Sequence, residues 1–227
     1  GDSFGLSRHE VIPVTAIGII VGISSLALFA SYNYMGGGIA STLLFIYPIL
    51  VAILMAVLYH ERAGWLTLLC ISMAVGGIAL LYRNSNGDTL SLPGVLLVML
   101  SAVSYSIYLI YVNHSTLRTI PTLKLTFYIL LSGVALYAVC SCGCTTLTLP
   151  RHSYMWLNIA GIAILPTVLS FICTTAAVLL IGSTPTAILG ALEPLTAVIL
   201  GVAVLGEPMT LRMALGMSLI IAAVCLI

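Results

Sequence analysis

Three charged side chains lie inside long apolar stretches of this sequence: Lys124, Glu193 and Arg212. Lys124 and Arg212 stand within a turn of the end of their stretches, where a long side chain can carry its charge out to a polar boundary at small cost. Glu193 has no such exit, being the tenth residue of an otherwise uncharged stretch over 184–206. If that stretch crosses a bilayer, an ionisable group at this depth costs about 3 kcal/mol and is expected to face a cavity or a partner. The next residue, Pro194, has no amide N–H and leaves a carbonyl of the preceding turn without its helical donor. A carboxylate beside a freed carbonyl can hold a cation, an amino group or a proton. The plain structural alternative is a protonated Glu193 hydrogen-bonded to a neighbouring helix.

Tyr47 precedes Pro48 as Glu193 precedes Pro194. Other polar side chains at mid-stretch are Tyr105, Tyr108, Tyr128, Ser170, Thr174 and Thr175, with Tyr32 and Asn33 nearer an end. Tyrosine rings around a carboxylate suit an amphipathic small molecule through stacking or cation–π contact. The candidate ligand-binding set is therefore Glu193, Tyr47, Tyr108, Tyr105, Asn33, Ser170 and Thr174. For any single tyrosine an ordinary packed or interfacial ring is the favoured reading, except for Tyr47 and Tyr108.

Glu61 follows His60, but no second histidine completes HExxH; GxSxG and GxxxxGK[ST] are also absent. One deep carboxylate cannot supply an aspartyl-type pair, so an enzyme is disfavoured and no metal or cofactor is expected. Glu61 and Glu207 each close an apolar stretch just before the next one, where a carboxylate can cap exposed amides at a helix start. Pro208 fits the first helical position after Glu207. Of six cysteines, Cys140, Cys142 and Cys144 form CSCGC, a spacing unlike a zinc site, and are read as small apolar filler at a helix end.

The elements that must position these groups follow from composition. Of 227 residues, 61% are hydrophobic and 6% charged, where a soluble domain carries about 25% charged residues. Seven Lys+Arg and six Asp+Glu cannot cover a water-facing surface. The net charge of +1 offers no field for nucleic acid, so lipid is the expected solvent. Eight apolar stretches, each near the about 20 residues needed to cross a bilayer, cover approximately 11–34, 37–59, 64–82, 93–113, 122–142, 154–181, 184–206 and 210–227. Backbone polar groups in lipid must be satisfied within the segment, so these are predicted to be helices of an all-α polytopic membrane bundle. Trp65, Tyr82, Tyr154 and Trp156 lie near stretch ends, as interfacial anchors do. Glycines 18, 22, 76, 77, 133, 161, 190, 201 and 216 are expected where helices approach closely, or as hinges that allow rocking, two readings the sequence does not separate.

The chain also repeats itself. Residues 39–61, IASTLLFIYPILVAILMAVLYHE, match 185–207, PTAILGALEPLTAVILGVAVLGE, with Pro48 on Pro194 and Glu61 on Glu207 at a constant offset of 146. The two copies are the second and seventh stretches, and an odd number of crossings reverses direction. The repeats are thus predicted to be inverted, with Pro48 and Pro194 as paired helix kinks and a binding site at the repeat interface near the midplane. The polar loop 83–91 is the seam, giving residues 1–86 as the last three helices of a first repeat and 87–227 as a complete second repeat of five. Two further helices before residue 1, ten in all, are the corresponding expectation.

The Pro-to-Glu segments ending YHE and LGE, the stretch ALEPLTAVILGVAVLGEPMTLRMALGMSLIIAA at 191–223 and GVLLVMLSAVSYSIYLIYV at 94–112 resemble the EamA-like branch of the drug/metabolite transporter superfamily. The resemblance covers nearly the whole chain. It implies a multi-pass protein of the bacterial inner membrane that exports amino acids, drugs or other small metabolites by alternating access, its partners being a small-molecule substrate and lipid. Without an ATP motif, transport would be facilitated or coupled to a proton or another ion, and a homodimer is compatible with the sequence. Lys and Arg favour the side of Arg8, Arg62, Arg118 and Lys124 as cytoplasmic by one charge. The competing expectation is a non-transporting membrane scaffold or assembly partner.

Overall fold

The structure is a computed structural model that describes residues 5–35, 40, 43–60, 64–81, 91–141, 152–190, 192, 193, 195, 196, 199, 203 and 211–226. Among these, all regular structure is helical, as composition requires in lipid. In chain order the helices are α1 (Arg8–Ser31), α2 (Tyr47–Tyr59), α3 (Trp65–Leu81), α4 (Leu92–His114), α5 (Thr122–Cys140), α6 (Ser153–Ile162), α7 (Ser170–Ile181), α8 (Ser183–Leu189) and α9 (Leu211–Leu226). Segments His9–Ser31, Leu92–His114, Thr122–Cys140 and Tyr154–Ile181 are each long and apolar enough to cross a membrane.

The stretch expected as one span over 37–59 is interrupted. Phe45 and Ile46 form a turn, and α2 restarts at Tyr47 with Pro48 in its first turn. The cause is local: proline lacks the N–H that a helix interior needs, whereas first-turn amides have no intrahelical partner to lose. The resulting 13-residue helix is about 20 Å long, short of a hydrocarbon core of about 30 Å. The corresponding stretch over 184–206 begins as α8 and turns at Gly190, four residues before Pro194. Pro194, Glu61 and Glu207 lie outside the described residues, as do Tyr82, Cys142 and Cys144.

A third proline effect sits in the long span 154–181. Between α6 and α7 the backbone widens to a π-helix over Ala163–Leu169 that contains Pro166. Pro166 cannot donate to the Ile162 carbonyl four residues back; the Thr167 hydroxyl donates to that carbonyl at 3.2 Å instead. α7 ends at Gly182, whose φ of 93° lies in a positive-φ region that glycine adopts without a Cβ penalty.

The chain divides into two compact units, Gly1–Ile23 with Tyr108–Gly182, and Ser24–Ile107 with Ser183–Ile227. In the first, α1 packs on α5 through glycines. A side chain at Gly18 would meet Ser132 and the Ile129 carbonyl, and one at Gly22 would meet Leu136 and Gly133. Lipid gives apolar faces no hydrophobic reason to associate, so close backbone approach and dispersion hold such helices together. At the start of both helices Lys124 lies 3.9 Å from Glu10, whose carboxylate also accepts the Ser7 N–H at 2.8 Å, the reach-back half of a capping box.

In the second unit Met35, Ala40 and Val98 form a small core under Leu28, Leu43, Leu44 and Val95. The Ser24 hydroxyl ties α1 to α4 through the Ser101 carbonyl at 2.9 Å and hydroxyl at 3.1 Å. α3 and α9 run antiparallel: Gly77 abuts the Gly216 carbonyl and Ile220, and Arg212 donates to the Ala79 carbonyl at 3.2 Å. That last bond satisfies a carbonyl at the end of α3 and sets a cation at its negative pole. Gly76 and Gly161, expected at helix contacts, face open space. They correct the glycine reading, because a glycine's position on the helix circumference, not its presence, decides what it touches.

Candidate functional site

The seven candidates divide between the units. Tyr47, Tyr105, Asn33 and Glu193 belong to the second, and Tyr108, Ser170 and Thr174 to the first.

In the second unit the helix interruptions place the groups. Gly190 ends the α8 segment, its N–H bonded to the Thr186 carbonyl at 3.1 Å. Its own carbonyl would in a regular helix meet the amide of residue 194, which is proline; it accepts from the Glu193 N–H at 3.0 Å instead. Glu193 follows this tight turn at the start of a further helical segment, its residue exposed by accessible area. Its carboxylate is within electrostatic range of the phenols of Tyr32, just past the end of α1, and Tyr47, at the start of α2. Tyr47 itself is buried, packed edge-to-face on Tyr105 with ring centroids 5.1 Å apart. Its hydroxyl donates to the Ala187 carbonyl at 3.2 Å, while the Ser106 hydroxyl donates to the Tyr47 carbonyl at 3.3 Å. Tyr105 is half-buried and Asn33 is exposed in the turn that follows α1.

In the first unit Tyr108 is fully enclosed. Its hydroxyl lies 2.9 Å from that of buried Thr175, Thr126 donates to the same oxygen at 3.4 Å, and the Phe171 ring lies 5.9 Å away. These contacts join α4, α5 and α7. Ser170 is exposed and Thr174 half-buried on α7. Sequence reasoning set Tyr47 and Tyr108 together apart from the other tyrosines as binding candidates; in the structure both rings are buried and both hydroxyls have partners. It gave little weight to Tyr32 and none to Ser106 or Ala187. The signal for Gly190 was present, since it stands four residues before Pro194.

Among the described residues of this unit the chemistry on offer is that of the Glu193 carboxylate, with the phenols of Tyr32 and Tyr47 close enough to feel its charge. Among the described residues no three His, Cys, Asp or Glu converge as a metal site would require. An apolar helical body, helices interrupted at prolines and a carboxylate at one interruption match the elements from which secondary transporters build binding sites.

Comparison with known proteins agrees in fold and family. A solved structure titled "Crystal structure of protein" superposes with a TM-score of 0.78 at 18% identity, over 95% of this chain and 83% of its own, a likeness of fold. Comparison with curated proteins gives no match. The EamA-like transporter family matches residues 3–83 and 92–227, nearly the whole length. With the all-helical apolar fold this supports one conclusion: the chain belongs to the EamA-like transporter family and is an integral membrane transporter of the drug/metabolite type.

Proposed function

We propose that the protein is a secondary transporter that moves a small metabolite, amino acid or drug-like compound by alternating access, in the export direction, across a bacterial inner membrane. The observation that carries this reading is Glu193: a carboxylate, exposed at a helix interruption inside an apolar stretch, with Tyr32 and Tyr47 in electrostatic range. A carboxylate at this depth costs about 3 kcal/mol, and ionisable groups placed so within apolar stretches commonly face a cavity, a pathway or a partner. The exposed Tyr32 ring nearby favours an amine or other organic cation with an apolar body, and the same carboxylate can take a proton in its absence. The antiparallel run of α3 and α9, each following one copy of the duplicated segment, supports reading residues 1–86 and 87–227 as parts of inverted repeats.

The test is flux into proteoliposomes of radiolabelled amino acids and of tetraphenylphosphonium, an aromatic monocation. Glu193→Gln is expected to lower the flux of any compound the wild type carries at least about tenfold, the loss of about 1.4 kcal/mol or more of binding. Full-rate transport by Glu193→Gln at every pH tested would remove Glu193 from the pathway. Wild-type protein that moves no member of a broad panel would favour the scaffold reading.

A further inference from the structure

Two interrupted helices meet at one side chain. Tyr47 begins α2 immediately after the Phe45–Ile46 turn, and its phenol lies against α8 and the turn at Gly190. A helix end leaves its last four carbonyls without intrahelical donors. Of those of α8, the Thr186 carbonyl takes the Gly190 amide and the Ala187 carbonyl takes the Tyr47 hydroxyl. The fit at Gly190 is closer still. A Cβ at that residue would overlap the Tyr47 hydroxyl and would stand 3.1 Å from both the phenol Cζ and the Ala187 carbonyl. The tyrosine is held from its other sides by Ser106, which donates to its carbonyl, by the Tyr105 ring, and by the Phe45 ring at 6.2 Å. Three residues beyond Gly190, bonded back to it through its amide, is Glu193.

We propose that Tyr47 is a positioning residue: its phenol, seated where Gly190 has no side chain and bonded to the Ala187 carbonyl, fixes the Gly190–Glu193 turn and so sets where the Glu193 carboxylate stands. Tyr47 then acts on substrate through Glu193 and not by touching it. Its ring is buried and its hydroxyl engaged, whereas Glu193 is exposed. Gly190 is required for close approach, because any Cβ displaces the phenol that orders the turn. The inference rests on Glu193 as the transport carboxylate.

The probe is dicyclohexylcarbodiimide, an apolar reagent that modifies protonated carboxyl groups in membranes. Its rate of addition to Glu193, read by mass spectrometry on the full chain in liposomes over a pH series, reports the position and protonation of that carboxylate without a known substrate. Gly190→Ala should change the rate or shift its pH midpoint by at least about threefold in proton concentration, and Tyr47→Phe, which removes one oxygen, should move it by a smaller amount. The Tyr47→Phe/Gly190→Ala double variant should lie nearer wild type than Gly190→Ala alone, since the overlapping atom is gone; residues in contact show such non-additivity. Wild-type labelling in Tyr47→Phe, or a double variant whose effects simply add, would overturn the proposal. If Gly190→Ala does not fold, Tyr47→Phe alone decides. The two readings fail separately: full flux by Glu193→Gln removes the transport role, while the labelling of these variants still reports whether Tyr47 governs the turn.

Discussion

Tyr108 shows how much a single hydroxyl can be asked to do in a protein with few polar groups. With Thr126 and Thr175 it forms a buried polar knot that links three helices of the first unit. Such bonds are worth about 0.6 kcal/mol on average within membranes and up to about 1.7 kcal/mol. Tyr108→Phe and Thr175→Val are each expected to destabilise the protein by about 1 kcal/mol, with the double variant little worse than either single one. Thermal unfolding in detergent measures this, and fully additive losses would mean that the two hydroxyls do not depend on each other. The sequence identified Glu193 because its cost is a property of residue type and depth. It could not separate a tyrosine that packs from one that lines a cavity, since both need the same apolar ring with one polar atom.

At the scale of elements, proline was legible and glycine was not. Pro48 was expected as a kink from its missing N–H, and the structure goes further by starting α2 at Tyr47 with Pro48 in its first turn, while Pro194 lies outside the described residues. The neighbouring glycines 76 and 77 are alike in sequence, yet Gly77 meets the Gly216 carbonyl and Ile220 of α9 while Gly76 meets nothing within 4 Å. One residue is about 100° of helix rotation, which turns a contact into a lipid-facing position. Gly77→Ala should therefore cost about 1–3 kcal/mol by forcing α3 from α9, while Gly76→Ala should be neutral or slightly stabilising, alanine being the better helix former. Equal melting temperatures for the two variants would contradict the α3–α9 packing. The π-helical segment around Pro166 was not anticipated either, because its shape depends on how Thr167 recovers the Ile162 carbonyl.

At the scale of the whole molecule, many large apolar side chains among the described residues are exposed, with Trp65 80%, Leu157 76% and Leu180 83% exposed. Water would not tolerate such a surface, so the protein is expected to stay with the membrane pellet through an alkaline carbonate wash and to need detergent for release. Recovery in the wash supernatant would contradict an integral protein. Composition and the apolar pattern determined this much alone: lipid as solvent and helices as the only economical element. Each follows from a local rule of hydration or backbone hydrogen bonding. The duplicated segments and their flanking residues also carried the family resemblance, since a linear pattern survives in sequence. Tertiary structure decided what depends on rotation and distance. It grouped residues from both halves of the chain into each compact unit. It enclosed Tyr108, exposed Glu193 and fitted the Tyr47 phenol against Gly190. Contacts between residues 140 or more positions apart arise only when helices are packed, and no local rule contains them.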